Sequence, residues 1–477
     1  MSRSSLDLSP WVGAALAIAM AFAVLGLETW HLRTAVLTYT DEGVFAETGR
    51  RLMAGEHPHV DYQFAHTLTL PFLIGLGLRT FGSMYPLRVA YTAATCLAVI
   101  PLYGAFVAIG RGHPGRRMAS LTAVFFYLTY HQLTRYDGRF LAVRPLADVA
   151  QIVFLYVGVT VRARRWRCAG QTLMAVVASL LYAPALINIA ALGVALAFWQ
   201  RDENDNDRHG ARDYAAVVFG AAASLLAYFT CVQGSFTPIV LGQWARPSDG
   251  RLTRIADLYM SWRSLLLYVA GTAGLIHASM SGVRVRGLAR AMLVTVVASL
   301  FLTPNFLLHY LTIAAPAFAL GIAGAVLALY EAASTSAKPM RIVAAGLVLL
   351  VGAQAAFALP DLLGEWIHND HPEYRDFIDA LARTPEPLLT VTPIDAVEAR
   401  RRMSTDLDAI AMRPPRAVRL PDDAFERAGD RACTILLDDD ATEKISAAVR
   451  NRWMRTSTTA STNRWGAILV SSRPECR

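Results

Sequence analysis

Two adjacent carboxylates, Asp41 and Glu42, follow the first strongly apolar segment of the chain, within the stretch TYTDEGVFAETGRRLMAGEHPHVDY. A carboxylate within hydrogen-bond reach of an attacking hydroxyl group can take its proton as that group reacts. An acidic pair just beyond an apolar segment is also often plain solvated loop surface. The pair is therefore a candidate for general-base chemistry, with loop surface as the alternative.

Cationic and polar side chains follow in two later stretches, HQLTRYDGRFLAVRP from His131 and TPNFLLHYLTIAAP from Thr303. The candidates for contacts with an anionic group are Arg135, Asp137, Arg139, Arg144, His309 and Tyr310. Arginine binds phosphate through paired hydrogen bonds, and fixed cations in a water-poor groove stabilise a leaving phosphate more strongly than in bulk water. Each also has a structural interpretation: local ion pairing for Asp137, lipid contacts for the arginines, and anchoring at the membrane boundary for His309 and Tyr310.

The composition places these residues in a membrane protein. The 477 residues are 54% hydrophobic and only 17% charged, and apolar runs recur along the chain. The run from Trp11 reaches the length of ~20 residues that a spanning helix needs. It lacks the small-residue cleavage site of a signal peptide, so we interpret it as a retained first span.

Short basic segments fix the predicted topology, because such segments stay in the cytoplasm. They are RGHPGRR, VRARRWR, RDENDNDRHGAR, RVRGLAR and AKPMR. With the N-terminus inside, this rule is satisfied by about eleven spans, at about residues 10–30, 86–109, 117–131, 144–161, 168–182, 184–199, 214–232, 262–278, 289–303, 306–330 and 342–360. The placement requires that HTLTLPFLIGLGLRTFG, residues 66–82, does not cross the bilayer; an ordinary span with a local exception to the charge rule is the alternative.

The chain changes character after Pro360 and becomes polar. PLLTVTP, CTILLDDD and WGAILVSS have the composition of short strands, and DATEKISAAVRNRW that of a helix. We therefore predict two domains, an all-α membrane domain over residues 1–360 and a small extracytoplasmic α/β domain over residues 361–477. Cys433 and Cys476 are the only cysteines of the second domain, and a disulfide between them is predicted, with two free thiols as the alternative.

Several functional classes lack their motifs in this sequence. It contains no zinc-ligand spacing, no G-x-x-x-x-G-K-[ST] phosphate loop and no G-x-S-x-G elbow. The net charge of +8 lies largely in the short basic segments, so it indicates membrane topology and not nucleic-acid binding. No redox or carbon-skeleton cofactor is implied. A divalent metal is possible at Asp41, Glu42 and Asp137, because hard cations prefer oxygen ligands.

One set of motifs resembles a known group. An outside DEG, then A-x-x-x-x-R-L-M-A-G-E-H-P, then LPFLIGLGL and a late HYLTIAAP, together with a small domain after the last span, are similar to the GT-C superfamily of membrane glycosyltransferases. That superfamily includes protein mannosyltransferases and lipid A aminoarabinose transferases. The resemblance implies transfer of a sugar from a polyprenyl-phosphate donor at the outer face of a bacterial plasma membrane, with inversion. The catalytic aspartate would be Asp41 with Glu42 beside it, and a second acid would be Asp137, or Asp148 as runner-up.

Other functions remain open from the sequence. A transporter or flippase of a lipid-linked sugar would also have many spans, but it would need ionisable residues near the membrane midplane, and the predicted spans are nearly free of them. An inactive relative that binds a lipid-linked sugar is the other alternative. The acceptor class, glycan, lipid or protein, is not indicated.

Overall fold

The computed structural model of the chain is mostly helical. It describes residues 8–34, 40–58, 64, 67–113, 115–129, 141–203, 210–232, 266–280, 286–301, 314–334, 339–368, 372–404, 422–439, 441 and 445–476.

Fourteen helices occupy the described part of residues 8–368. They are α1 (Pro10–Thr34), α2 (Thr40–Met53), α3 (Thr69–Phe81), α4 (Tyr85–Leu97), α5 (Val99–Ile109), α6 (Arg116–Leu128), α7 (Val143–Thr160), α8 (Arg164–Leu181), α9 (Ala185–Glu203), α10 (Gly210–Cys231), α11 (Gly271–Met280, preceded by a π-helical turn Leu266–Ala270), α12 (Arg286–Phe301), α13 (Ala315–Ser334) and α14 (Pro339–His368).

Five of these helical segments are long and apolar enough to cross a membrane, among the residues that the structure describes. They are Pro10–Leu32, Tyr85–Ile109, Val143–Thr160, Ala211–Cys231 and Ala315–Ala333. Shorter apolar helices include Thr69–Phe81, Ala185–Ala197, Leu266–Met280, Leu288–Val297 and Arg341–Ala356. The chain therefore carries several apolar helices of the kind found in membrane proteins, and the count of eleven crossings stays a prediction.

The segment predicted not to cross the bilayer contains α3, which has 13 residues. At 1.5 Å per residue it is about 20 Å long, shorter than a hydrocarbon core of about 30 Å. Its C-cap is Gly82 in the left-handed conformation, with its N–H bonded to the carbonyl of Leu78. Since α6 has the same length, helix length does not separate a crossing from a non-crossing segment, and the placement of residues 66–82 on one side of the membrane stays a prediction.

Small residues allow two of the apolar helices to approach closely. A Cβ added at Gly274 of α11 would collide with the carbonyl of Gly321 in α13. Between membrane helices, where burial of apolar surface drives no association, such close packing is a main source of attraction.

A four-stranded sheet lies in the C-terminal part of the chain, with strand order β1-β2-β4-β3. The strands are β1 (Leu388–Leu389), β2 (Thr434–Leu437), β3 (Ser457–Asn463) and β4 (Gly466–Ser471), and the helices around them are α15 (Pro372–Leu381), α16 (Pro393–Glu398), α17 (Asp422–Arg431) and α18 (Ala447–Thr456). β1 pairs with β2 in parallel, and the β2–β4 and β3–β4 pairs are antiparallel.

The central strands of the sheet, β2 and β4, are covered on both faces. Successive residues of a strand point to opposite faces, and Ile435 accordingly packs in a cluster with Phe425 and Trp453, whereas Leu436 packs in another with Phe377. Two cores therefore hold the helices on the sheet, one on each side.

The chain groups into two compact units. The first comprises Met1–His31, Val89–Gly234 and Ser248–Trp366, and the second comprises Leu32–Arg88, Ser235–Pro247 and Ile367–Arg477. The polar segment after the first apolar helix thus belongs to the same unit as the tail. The division into domains 1–360 and 361–477 stays a prediction.

Candidate active site

The acidic pair lies in the first turn of α2, which begins at Thr40. Adjacent residues of a helix do not share a face, so the side chains of Asp41 and Glu42 leave the helix in different directions. The first turn also presents unpaired backbone N–H groups and the positive end of the helix dipole, which favour negative charge. The backbone of Asp41 is placed by this turn; its side chain lies outside the described part of the structure.

Glu42 is fully buried and forms an ion pair with Arg88 of α4. Nε of Arg88 donates to both carboxylate oxygens of Glu42 at 3.1 Å, and Nη2 donates to Oε2 at 2.7 Å. On its other side, Nη1 of Arg88 donates to Oε1 of Glu398 at 2.8 Å. One guanidinium therefore joins α2, α4 and α16, and it fixes the turn of α2 that carries Asp41.

This ion pair gives Glu42 a positioning task. Its carboxylate is turned toward Arg88 and away from water, as expected for the member of the pair that faces the interior. The role of Asp41 as base, and any direct contact of Glu42 with substrate, stay predictions. Arg88 itself was missed as a site residue; the available signal was an arginine at the fourth position of an otherwise apolar span.

Glycines hold α2 against two neighbouring elements. A Cβ at Gly43 would collide with the backbone of Ile394 in α16, and a Cβ at Gly49 would collide with the carbonyl of Pro71 in α3. Gly75 of α3 meets the carbonyl of Gly49 in the same way. The glycine of the DEG motif is therefore required by a close approach of two backbones.

The helix α16 is fixed in turn by a buried hydrogen bond. Tyr374 of α15 donates its hydroxyl to Oδ1 of Asp395 at 2.7 Å. Burial of the ring, and next the neighbouring carboxylate of Asp395, raise the pKa of Tyr374 above its ordinary value. Both effects favour the neutral phenol, so the tyrosine stays a hydrogen-bond donor to Asp395.

A second group of predicted residues lies at the start of α7, in the first compact unit. Arg144 is buried, and its guanidinium carbon lies 5.5 Å from the ring centroid of Tyr182, in cation–π geometry. Asp148 is fully buried, and Gln151 donates to its Oδ1 at 3.1 Å. Residues four apart share a helix face, so Arg144 and Asp148 lie on one side of α7.

The backbone at the entry to α7 is held by Tyr91 of α4. Its hydroxyl donates to the carbonyl of Ala142 at 3.0 Å, and the N–H of Ala142 donates back to the tyrosine hydroxyl oxygen at 3.3 Å. This contact fixes the backbone immediately before α7, and with it the position of Arg144.

The remaining proposed donor-binding residues lie outside the described part of the chain: Arg135, Asp137, Arg139, His309 and Tyr310. Cys433 and Cys476, proposed as a pair, are joined by a disulfide that links the residue before β2 to a short 3-10 turn, Pro474–Cys476. Among the described residues, no group of three or more His, Cys, Asp or Glu side chains is arranged to hold a metal ion.

The chain matches no protein-family model and no curated protein sequence. It is similar to solved structures. One is ArnT from Cupriavidus metallidurans bound to undecaprenyl phosphate, with a TM-score of 0.59 and 15% sequence identity, covering 97% of this chain and 98% of that one. The apo state of the same protein has a TM-score of 0.60 and 16% sequence identity, and the match covers 96% of this chain and 97% of that one. The apo oligosaccharyltransferase of Archaeoglobus fulgidus has a TM-score of 0.58 and 12% sequence identity, and the match covers 90% of this chain and 70% of that one.

These similarities extend over nearly the whole chain, whereas the sequence identity is low. The resemblance found in the sequence is confirmed at the level of the fold: the chain has the fold of the GT-C membrane glycosyltransferases.

Proposed function

We propose that this protein is a glycosyltransferase that moves a sugar from a polyprenyl-phosphate-linked donor to an acceptor at the outer face of the membrane. The observation that carries the proposal is the first turn of α2, where the buried Glu42–Arg88–Glu398 network fixes the backbone beside Asp41. A catalytic group gains most when its support holds it rigidly in place. The fold shared with membrane glycosyltransferases, one of them bound to undecaprenyl phosphate, supports the same reaction class.

In the proposed reaction an acceptor hydroxyl oxygen forms a bond to the anomeric carbon as the bond from that carbon to the lipid phosphate oxygen breaks. The carboxylate of Asp41 takes the hydroxyl proton. Attack opposite the leaving group inverts the anomeric centre. The lipid phosphate leaves with its negative charge, for which the proposed partners are Arg135, Arg139, Arg144 and His309, with Asp137 and Tyr310 positioning the donor.

The proposed location is a multi-pass arrangement in a bacterial plasma membrane, with the N-terminus in the cytoplasm and the C-terminal domain outside. The five long apolar helices support insertion into a membrane. The proposed partners are the lipid-linked sugar, membrane lipids and a glycan, lipid or protein acceptor.

The position of buried ionisable residues along the helices separates this proposal from the transporter alternative. Glu28, Arg144 and Asp148 are buried within candidate spans among the described helices. Arg144 and Asp148 lie in the first two turns of α7, and Glu28 lies near the end of α1. In the predicted topology the end of α1 and the start of α7 both face outward. The positions of these three residues therefore favour a reaction at the outer surface over a transport site at the midplane.

The test measures sugar transfer and donor binding separately. Wild-type protein in lipid nanodiscs is given a panel of radiolabelled undecaprenyl-phosphate sugars with membrane extract as the source of acceptor, and binding of undecaprenyl phosphate is measured in parallel. Asp41→Asn keeps the shape of the side chain but not its basicity, so transfer falls by roughly 10²–10⁴-fold while binding persists.

Asp423→Asn is the matched control, because Asp423 is an exposed carboxylate of α17 paired with Arg427. It should transfer at the wild-type rate. Near wild-type transfer by folded Asp41→Asn removes the base assignment. Binding of undecaprenyl phosphate by the wild-type protein without any transfer identifies an inactive binding relative, and movement of intact donor across the bilayer identifies a flippase.

A further inference from the structure

A cavity of about 730 Å³ lies within the second compact unit. Its walls come from the C-terminal half of α2, the end of α3 and the residues around α16. Five arginines and three glutamates contribute to it: Arg50, Arg51, Arg79, Arg400, Arg402, Glu47, Glu56 and Glu386. We call it the arginine cavity.

The three carboxylates of the arginine cavity already have cationic partners. Glu47 accepts from Arg51 at 3.2 Å and lies 3.3 Å from Arg50, and Glu56 lies 4.0 Å from Arg51. Glu386 lies 3.7 Å from Arg401, and it also accepts the backbone N–H of residue 402 at 3.0 Å. The acidic side chains therefore do not neutralise the remaining arginines.

Three guanidinium groups are left over, those of Arg79, Arg400 and Arg402. All three side chains are exposed, and none forms an ion pair or donates a side-chain hydrogen bond within the residues that the structure describes. They come from two segments far apart in sequence and meet at one cavity. Three unpaired cations that line one cavity raise its positive potential, which attracts an anion.

The backbone at Arg400 is a second, independent observation. Its φ of +55° places it in the left-handed region, directly after the C-cap of α16, where glycine is the usual residue. An arginine there is strained relative to glycine. Strained residues that persist in a fold are found mostly at ligand-binding and catalytic positions.

We propose that the arginine cavity binds an anionic organic molecule through a phosphate or carboxylate group. Arginine forks match both groups through paired, charge-assisted hydrogen bonds. The volume is in the range of cavities that hold whole small molecules, and far exceeds the needs of a single inorganic anion. Met53, Leu78 and Met403 also line it, so the remainder of the ligand has an apolar portion. The proposal does not depend on the transfer reaction proposed above.

Two sources can supply such a ligand, a soluble phosphorylated sugar or the head group of an anionic lipid, and the experiment separates them. Full-length protein in phosphatidylcholine nanodiscs is titrated with glucose 6-phosphate by calorimetry, with glucose as the neutral probe. In the second arm, native mass spectrometry counts phosphatidic acid retained from mixed-lipid nanodiscs against phosphatidylcholine. Preference for either anionic probe over its neutral counterpart supports the proposal and identifies the source.

The triple variant Arg79→Gln/Arg400→Gln/Arg402→Gln should lose this preference, and each single change should weaken binding by about tenfold, as expected for a charge-assisted hydrogen bond. Arg383→Gln/Arg427→Gln/Arg455→Gln removes the same charge from exposed positions outside the cavity and should bind like wild type.

Arg400→Gly guards against a folding artefact, because it relieves the backbone while it removes the guanidinium. It should unfold at the wild-type temperature or above and still bind about tenfold more weakly. The proposal is overturned if the triple variant binds as tightly as wild type, or if wild type binds neither anionic probe in preference to its neutral counterpart.

Discussion

The ion pair between Glu42 and Arg88 makes a sharp prediction for Glu42→Gln. Glutamine keeps the size of the side chain but removes the charge that balances a guanidinium whose side chain is only 7% exposed. Breaking a buried pair from one side costs about 3–5 kcal/mol, since the other charge stays buried. Arg88 retains Glu398 at 2.8 Å, so we expect the lower end, about 3 kcal/mol.

The matched control is Glu398→Gln, which removes the other partner of the same guanidinium. Glu398 is 28% exposed and accepts one hydrogen bond from Arg88. Its loss should cost about 1 kcal/mol. For a unit of this size 1 kcal/mol lowers the unfolding temperature by about 2–4 °C, so Glu42→Gln should lose about 6–12 °C and Glu398→Gln about 2–4 °C.

The assay is thermal unfolding of the full-length protein in lipid nanodiscs, followed by tryptophan fluorescence. The double variant Glu42→Gln/Arg88→Met leaves no uncompensated cation. Its loss of stability should therefore be smaller, by at least about 1 kcal/mol, than the sum of the losses caused by Glu42→Gln alone and by Arg88→Met alone. If Glu42→Gln unfolds no earlier than Glu398→Gln, or if the losses of Glu42→Gln and Arg88→Met simply add, the ion pair does not hold the first turn of α2.

Three further predictions concern the tail and the topology. Single cysteines placed in the loop around Asp41 and after Pro360 should both react with an impermeant thiol reagent in intact cells; protection of the tail alone would contradict the eleven-span topology. Cys433 and Cys476 should resist alkylation in denatured, unreduced protein, and reduction should destabilise the tail by about 2–4 kcal/mol, whereas ready alkylation of both removes the bridge. Burial raises the pKa of Tyr374 in the folded state, whereas in the unfolded state its pKa is about 10. Above about pH 10 the unfolded state therefore loses the phenol proton and the folded state keeps it, so the free energy of unfolding should fall as the pH rises past that point. Tyr374→Phe should show a shallower alkaline loss in the same unfolding measurement, and an unchanged slope would exclude Tyr374 as the titrating group.

The helical framework was accessible from the sequence because apolar length and basic flanks depend on each segment alone. Strand composition likewise predicted β1, β2 and β4 around Leu388, Ile435 and Leu469. The strand β3 was missed because Ser457–Asn463 is almost entirely serine, threonine and alanine, and it packs at the edge of the sheet with no alternating apolar pattern.

The site was less accessible because it depends on partners that are distant in sequence. The DE pair and its place after the first span were visible as a motif, and the helix period already implied that its two side chains diverge. Neither the partner of Glu42, an arginine 46 residues later, nor the backbone contact between Gly43 and Ile394 has a local signature. The same holds for the arginine cavity, whose free guanidinium groups come from segments about 320 positions apart.

The contact between Arg88 and Glu398 also sets an order of events during biosynthesis. These two residues are 310 positions apart, and ribosomes add about 5–20 residues per second, so Glu42 and Arg88 are complete roughly 15–60 s before Glu398 is made. During that interval α2 has its ion pair with Arg88 but lacks the helix α16 that closes on Gly43. A nascent chain therefore acquires the full support of Asp41 only after the apolar helices α1 to α14 have been synthesised, so the candidate site is completed late in the synthesis of the chain.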